Sequence, residues 1–158
     1  MEPRNITLRD ATLDDAAFLF ALRTDPDVVA NSNRTAPPNL EDHTGWLRKA
    51  LENNWVRLFI VEDEGPRILP IGQCRLDVSY DGVTAEVSIA LIRAARGQGI
   101  GTVVLRHLAR EASAGHLRWL EAVIKDTNIA SKKAFLNAGY SVEEIKDGIV
   151  HMGLKCAS

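Results

Sequence analysis

The stretch Thr84-Ala85-Glu86-Val87-Ser88-Ile89-Ala90-Leu91-Ile92-Arg93-Ala94-Ala95-Arg96-Gly97-Gln98-Gly99-Ile100-Gly101-Thr102 decides how this chain is read. Its first half alternates. Ala85, Val87, Ile89 and Leu91 share one face, and Glu86, Ser88, Ala90 and Ile92 the other, which is the period of a strand. Its second half sets three glycines at alternating positions behind Arg96 and opens a helix to about Ala114. Val104, Leu105, Leu108, Ala109 and Ala112 form the apolar stripe of that helix, and Gly115 fits its end. A strand that turns through glycines into a helix N-terminus makes an anion cradle. The glycines let the backbone turn tightly and let a ligand approach, and the first helical amides have no partner of their own. Arg96 adds a guanidinium able to fork onto phosphate oxygens.

Upstream, Asp81-Gly82 marks a hairpin. The strand before it, Pro70 to Val78, sets Cys74, Leu76 and Val78 on one face. Asp63-Glu64-Gly65-Pro66 is a turn, and Arg57 to Glu62 is rich in strand formers. Nearer the start, Ile6 to Arg9 reads as a strand. Thr12-Leu13-Asp14-Asp15 caps a helix to about Arg23, with Phe18, Leu19 and Leu22 on one side. The cluster from Asn31 to Asn39 reads as a loop between two helices. Asn39-Leu40-Glu41-Asp42 repeats the cap pattern and opens a helix to about Glu52 with the stripe Trp46, Leu47, Ala50 and Leu51. Downstream, Trp119 to Ile124 is a strand. Asn128 or its neighbour caps a helix with the face Ala130, Ala134 and Ala138, stopped by Gly139. Two strands, Ser141 to Lys146 and Ile149 to Lys155, flank Asp147-Gly148. The order β-α-α-β-β-β-α-β-α-β-β defines a mixed α/β fold, and one domain over residues 1–158 is expected.

The composition narrows the function classes. Nineteen basic and 21 acidic residues leave a net charge of -2, which argues against a broad nucleic-acid surface. Lys125, Lys132 and Lys133 form only a small basic patch. No apolar run approaches a membrane span, and the start lacks the apolar core of a signal peptide. Cys74 and Cys156 are too few and too far apart for a zinc motif, so no metal is expected, and a reducing, cytoplasmic setting fits.

Several readings of the glycine loop stand side by side. A nucleotide P-loop needs a Lys-Ser/Thr pair that is absent here. A dinucleotide fingerprint needs a third small residue where Thr102 stands. Glu121 would suit a ribose, but no second βαβ unit follows. The third reading is a pyrophosphate loop for coenzyme A. The bland alternative, a tight strand-to-helix turn, needs fewer glycines than are present.

With these residues in view, the chain resembles the GNAT superfamily of acyl-CoA N-acyltransferases. The family loop Arg/Gln-x-x-Gly-x-Gly/Ala is matched by Arg96, Gly99 and Gly101. A second signature, Asn-x-x-Ala/Ser, an aromatic, then Gly-Phe/Tyr, is matched by Asn128, Ser131, Phe135, Gly139 and Tyr140. The resemblance spans nearly the whole chain. It implies an α+β fold, a mostly antiparallel sheet flanked by about four helices, and central strands that splay. It implies acetyl-CoA as co-substrate, with pantetheine in the splay against the backbone of Leu91 and Ile92. The amides of Gly97, Gln98, Gly99, Ile100, Gly101 and Thr102 would hold the pyrophosphate beside Arg96. Asn128 would reach the pantetheine, and Ser131 or Lys133 the nucleotide end. An amine would attack the thioester directly, and Glu86 is the candidate base, acting through water. Many family members carry a tyrosine acid where this chain has Phe135. Tyr140 or Tyr80 substitutes, or the thiolate leaves unaided. Cys74, in mid-strand, reads as core rather than nucleophile.

For the acceptor, the early helices and β-rich middle are similar to N-acetyltransferases of nucleotide-linked amino sugars in pseudaminic-acid-type pathways. Asn33 would meet sugar hydroxyls, Arg75 a phosphate and Trp46 a ring, with His43 nearby. A ribosomal-protein-type N-terminal peptide acetyltransferase is the runner-up, and a non-catalytic acetyl-CoA-binding module is the reading from another class. Neither a nucleic-acid nor a membrane partner is expected. A homodimer is compatible with the family.

Overall fold

The computed structural model describes residues 5–32 and 39–157. In chain order it has β1 (Ile6–Asp10), α1 (Ala16–Arg23), α2 (Pro26–Asn31), α3 (Leu40–Glu52), β2 (Val56–Glu64), β3 (Ile68–Val78) and β4 (Thr84–Leu91). Then follow α4 (Ile100–Ala114), β5 (Trp119–Lys125), α5 (Ile129–Asn137), β6 (Ser141–Lys146) and β7 (Ile149–Lys155). Short 3₁₀ turns at Leu13–Asp15 and Arg93–Ala95 lead into α1 and the glycine loop.

The seven strands form one sheet in the order β1-β2-β3-β4-β5-β7-β6. Every neighbouring pair is antiparallel except β4 and β5, which are parallel. Alternation along the strands feeds two cores. On one face, Cys74, Leu76, Ala85, Val87, Leu120 and Ala122 pack against α4 and Phe135 of α5. On the other, Leu58 and Ile60 pack against Leu19 of α1 and Leu47 of α3. This is the expected mixed, mostly antiparallel architecture, with five helices among the described residues.

The start of the chain is pinned by a capping box. Thr12 and Asp15 cap the first turn reciprocally, and Arg9 forks onto Asp15 with both contacts at 2.8 Å.

Three local expectations need correction. The loop expected from Asn31 begins one residue later, because Asn31 ends a helix over residues 26–31: Asp25 Oδ1 accepts from the amides of Asp27 and Val28, and Pro26 sits in the first turn. The buried face of α3 is His43, Leu47 and Ala50, while Trp46 and Leu51 turn outward. In α5, Ala130 is exposed and Phe135 is the buried anchor.

Candidate functional site: a gap between two parallel strands

Strands β4 and β5 pair through Thr84–Trp119, Ala85–Leu120 and Glu86–Glu121, and no further. Beyond that row, Val87–Leu91 and Ala122–Lys125 run on without each other, so the sheet is split toward the carboxyl ends of the two strands. Parity identifies the backbone groups that face the split. Val83 O accepts from Arg118 and Trp119 on the β5 side, whereas the Ile92 amide donates to Ile71 O on the β3 side at 2.8 Å. Backbone groups alternate along a strand, so those of Val87, Ile89 and Leu91 point into the gap. Ile92, assigned from sequence to the pantetheine arm, spends its amide on the sheet. The Leu91 amide faces the gap, but the Leu91 carbonyl accepts from Arg96 Nε at 3.0 Å.

The glycine loop lies at the open end. Gly97 and Gly99 hold φ of 74° and 77°, a region that other residues enter only with strain. Open space surrounds the place where a Cβ would stand on either glycine. No side chain caps α4, so its first amides, from Ile100 to Thr102, are free to meet an anion. Gln98 braces the loop through Nε2 to Ala94 O at 2.7 Å, leaving its backbone amide as the group available to a ligand. These features fit a diphosphate.

The Arg96 guanidinium is engaged by Asp25, Asp27 and Leu91 O, so it bridges α2 and the end of β4. Asn128 Oδ1 caps α5 on the Ser131 amide at 3.3 Å, and Ser131 is half-buried beside it. That cap occupies the Asn128 oxygen and leaves its Nδ2 for a ligand. Lys133 is exposed.

Glu86 lies on the sheet face opposite Val87, in register with Asp77 on β3 and Glu121 on β5. Direct cross-strand partners share a face, so three carboxylates stand in a row at strand spacing, about 4.8 Å apart. Glu121 is in turn opposite Gly153 of β7. Any Cβ on Gly153 would collide with the Glu143 carboxylate and the Trp119 ring, so a fourth carboxylate extends the row. Arg75 forks onto Asp77 at 2.9 and 2.6 Å. Among the described residues, no hydrogen bond or ion pair engages the carboxylates of Glu86 or Glu121.

The residues assigned to a nucleotide sugar are occupied by one another. The Arg75 guanidinium, held by Asp77, lies 5.1 Å from the centre of the Trp46 ring. Trp46 is tilted against His43 at 5.5 Å, and His43 against Phe20 at 5.7 Å. His43 is 2% exposed, and neither ring nitrogen has a partner among the described residues. It is a core ring, not a substrate ligand. Asn33 lies outside the described residues.

Neither tyrosine substitutes at the Phe135 position. Phe135 is buried and meets Tyr140 edge-on at 4.8 Å. The Tyr140 hydroxyl is buried without a partner, and burial pushes its pKa up, so it holds its proton tightly. Tyr80 is fully exposed in the β3–β4 turn. Cys74 is sealed in the core with its thiol pushed up to about 12, which removes it as a nucleophile.

His43 yields a stability prediction. Burial, then the Arg23 charge, holds its pKa below the ordinary 6.5, and His107 is lowered in the same direction, chiefly by burial. The unfolded chain therefore binds these protons first, and stability falls as pH drops below about 6.5. Urea midpoints at pH 7.5 and pH 5 should differ less in His43→Phe than in the wild type, with His107 keeping its own share. An equal drop in both proteins excludes His43 as a source.

The split sheet, the open glycine loop and the paired motifs define a coenzyme A-dependent acyltransferase. The chain matches the model of an acetyltransferase (GNAT) domain over residues 5–141 and belongs to that family. It is 30% identical over 126 residues to "Putative phosphinothricin acetyltransferase YwnH" of Bacillus subtilis, covering 75% of this chain and 72% of that one. Among solved structures, it superposes on spermidine N-acetyltransferase from Vibrio cholerae in complex with CoA and spermine. That match has a TM-score of 0.85 at 17% identity, over 96% of this chain and 95% of the other. An aminoglycoside acetyltransferase in complex with coenzyme A matches with a TM-score of 0.80 at 20% identity, over 96% and 95%. The protein is an acetyl-CoA-dependent N-acetyltransferase, with acetyl-CoA as its co-substrate. This answers the non-catalytic reading. No helix among the described residues is long and apolar enough to cross a membrane.

Sequence reasoning placed Asp25 and Asp27 only within the acceptor-side resemblance of the early helices, and it missed Glu143 and Gly153. The first two carried a signal, since Asp followed by Pro is a helix start. Glu143 and Gly153 carried none, because they meet only where the β6–β7 ladder is irregular.

Proposed function

We propose that the acceptor is the primary amine of a small molecule bearing further positive charge, and that Glu86 takes the proton from that amine through water. The carboxylate row Asp77–Glu86–Glu121, extended by Glu143, carries this reading. Like charges side by side are unfavourable, and among the described residues no hydrogen bond or ion pair offsets Glu86 or Glu121, so a bound cation is favoured there. An anionic nucleotide sugar is disfavoured at the same place. Arg75 and Trp46, which would have bound it, are held by each other. Two fold neighbours, named for spermidine and for aminoglycosides, act on polycationic amines, which is in keeping with the row.

Bound acetyl-CoA supplies an activated acetyl thioester. The amides from Gly97 to Thr102 would hold its diphosphate. The backbone of Val87, Ile89 and Leu91 would align the arm in the gap and offer donors where negative charge develops on the carbonyl oxygen. Glu86 sits on the last paired row before the gap, where a water can link it to an incoming ammonium. The row holds the cation, and Glu86 keeps the attacking nitrogen neutral. No side chain of this protein is assigned as general acid. A reducing, cytoplasmic setting goes with this reading, and the unpaired Cys74 and Cys156 support it.

The test is calorimetric titration of acetyl-CoA, followed by an acceptor panel. Wild type should bind in the micromolar range. Gly99→Asp should not, because aspartate is strained at φ of 77° and sets a negative charge where phosphate would lie. The panel comprises spermidine, kanamycin, phosphinothricin, a nucleotide-linked amino sugar and a peptide with a free N-terminus. Fastest turnover on spermidine or kanamycin, with KM for the amine raised in Glu121→Gln, is the expected result. Preference for the sugar nucleotide, the peptide or phosphinothricin overturns the charged-amine reading.

A further inference from the structure

Helix α2 buries none of its residues, and a helix this short has no stability of its own. Beyond its neighbour α1, charge ties it to the fold. Arg96 Nη1 donates to Asp27 Oδ2 at 2.8 Å and Nη2 to Asp25 Oδ1 at 3.1 Å, while Nε holds the end of β4 through Leu91 O. Arg93 adds a longer contact to the same Asp27 oxygen, at 3.3 Å. At the other end of the helix, Lys125 Nζ donates to Ala30 O at 2.8 Å. Arg96 follows β4, and Lys125 is the last residue of β5. The helix is therefore fastened to both lips of the gap.

We propose that Arg96 is a positioning residue, which holds α2 across the mouth of the gap and joins the acceptor side of the site to the coenzyme loop. Asp25 and Asp27 are its partners in that role. Single exposed ion pairs contribute little. This one is a planar fork onto two carboxylates and a carbonyl, with Arg96 and Asp25 side chains only 29% and 23% exposed. Asp25 is further fixed because the oxygen that meets Arg96 also caps α2, and the Val28 amide, burial aside, helps keep its carboxyl below the usual range. Nothing else among the described residues sets the angle of α2 over the gap so directly. The proposal rests on the gap being the reaction site, and its test separates the two.

The experiment combines hydrogen exchange with acetyl-CoA calorimetry on wild type, Arg96→Ala, Arg96→Lys, the pair Asp25→Asn/Asp27→Asn, and the triple variant. Asparagine keeps the cap and removes the charge. Amide exchange over residues 26–31 should rise about tenfold in Arg96→Ala and in the Asn pair, with little change elsewhere. The triple variant should exchange no faster than either, which marks one shared interaction. Arg96→Lys should recover part of the protection. Acetyl-CoA affinity should change less than threefold, on the order of a lost surface contact. Unchanged exchange over α2, or a rise spread evenly over the whole fold, overturns the proposal. So does a tenfold or greater loss of acetyl-CoA affinity with α2 still protected, which makes Arg96 a phosphate ligand and leaves the coenzyme site intact. Wild type that fails to bind acetyl-CoA defeats the coenzyme site instead, whatever α2 does.

Discussion

Replacing Glu86 by glutamine is expected to lower kcat by about 10²–10⁴-fold, the usual weight of a positioned general base. Acetyl-CoA affinity should stay as in the wild type. The amide has the size of the carboxylate and keeps its hydrogen-bonding oxygen, so the strand and the gap stay in place. What it loses is the capacity to accept a proton. Glu121→Gln on the neighbouring strand removes a charge from the same row and serves as the control. If Glu121 only attracts the cation, its variant raises KM for the amine and spares kcat. Unchanged turnover in Glu86→Gln removes Glu86 as the base, and the row is then left with binding only.

The second large effect is expected from one methyl group at Gly72. Gly72 pairs with Leu91, the last residue of β4. A Cβ there would lie 2.5 Å from Ala90 O, 2.7 Å from Leu91 Cδ2 and 3.2 Å from Leu91 Cα. Two of these neighbours are backbone atoms, so they cannot swing aside as the end of a side chain would. In Gly72→Ala, β3 and β4 must separate at the point where β4 lines the gap and hands Ile92 to Ile71. The expected cost is about 1–3 kcal/mol, the range for overpacking a tight site. For a chain of this size that is a fall in Tm of roughly 2–4 °C per kcal/mol. Acetyl-CoA affinity should fall at least about tenfold, since the Leu91 amide moves with the strand. Gly45→Ala is the contrast: no atom lies within 4 Å of its Cβ position, in the middle of α3. That variant should gain about 0.5–1 kcal/mol from helix propensity. If Gly72→Ala melts and binds like the wild type, the close approach of β3 to β4 is not a constraint on the site.

The two results test different layers of what the sequence reveals. The alternation at 84–92 and the glycines at 97, 99 and 101 are periodic, local signals, and they carried the strand, the turn and the following helix to within a few residues. The stripe Val104, Leu105, Leu108 and Ala112 was legible for the same reason. The faces of α3 and α5 were not. Trp46 and His43 are three residues apart on one helix, and hydropathy favours burying the tryptophan. The fold buries the histidine instead, against Phe20, and sets the part-exposed tryptophan ring against Arg75. That choice depends on what α1 and β3 present, which no window of α3 contains. The same holds for the carboxylate row. Asp77, Glu86 and Glu121 are scattered in sequence and meet only through register across β3, β4 and β5, and Glu143 joins them from an irregularity in β6 that lets its side chain lie over Gly153. Arg96 was found by its motif, but its contacts to α2 were not legible, because those partners lie some seventy residues earlier, on a helix with no apolar stripe to announce it.

A sheet normally has two edges, and edges recruit strands. The split between β4 and β5 gives this one a third edge, inside the molecule, where Val87 and Ile89 hold out their peptide groups and Leu91 its amide. Left open, such a seam invites a stray polypeptide to zip into it. Here α2 is roped across the entrance from Arg96 on one bank and Lys125 on the other. A peptide strand with side chains on both faces meets that barrier, whereas a slender, unbranched arm carrying its own amides can thread beneath it. The fold thereby screens for a guest that imitates backbone without being protein.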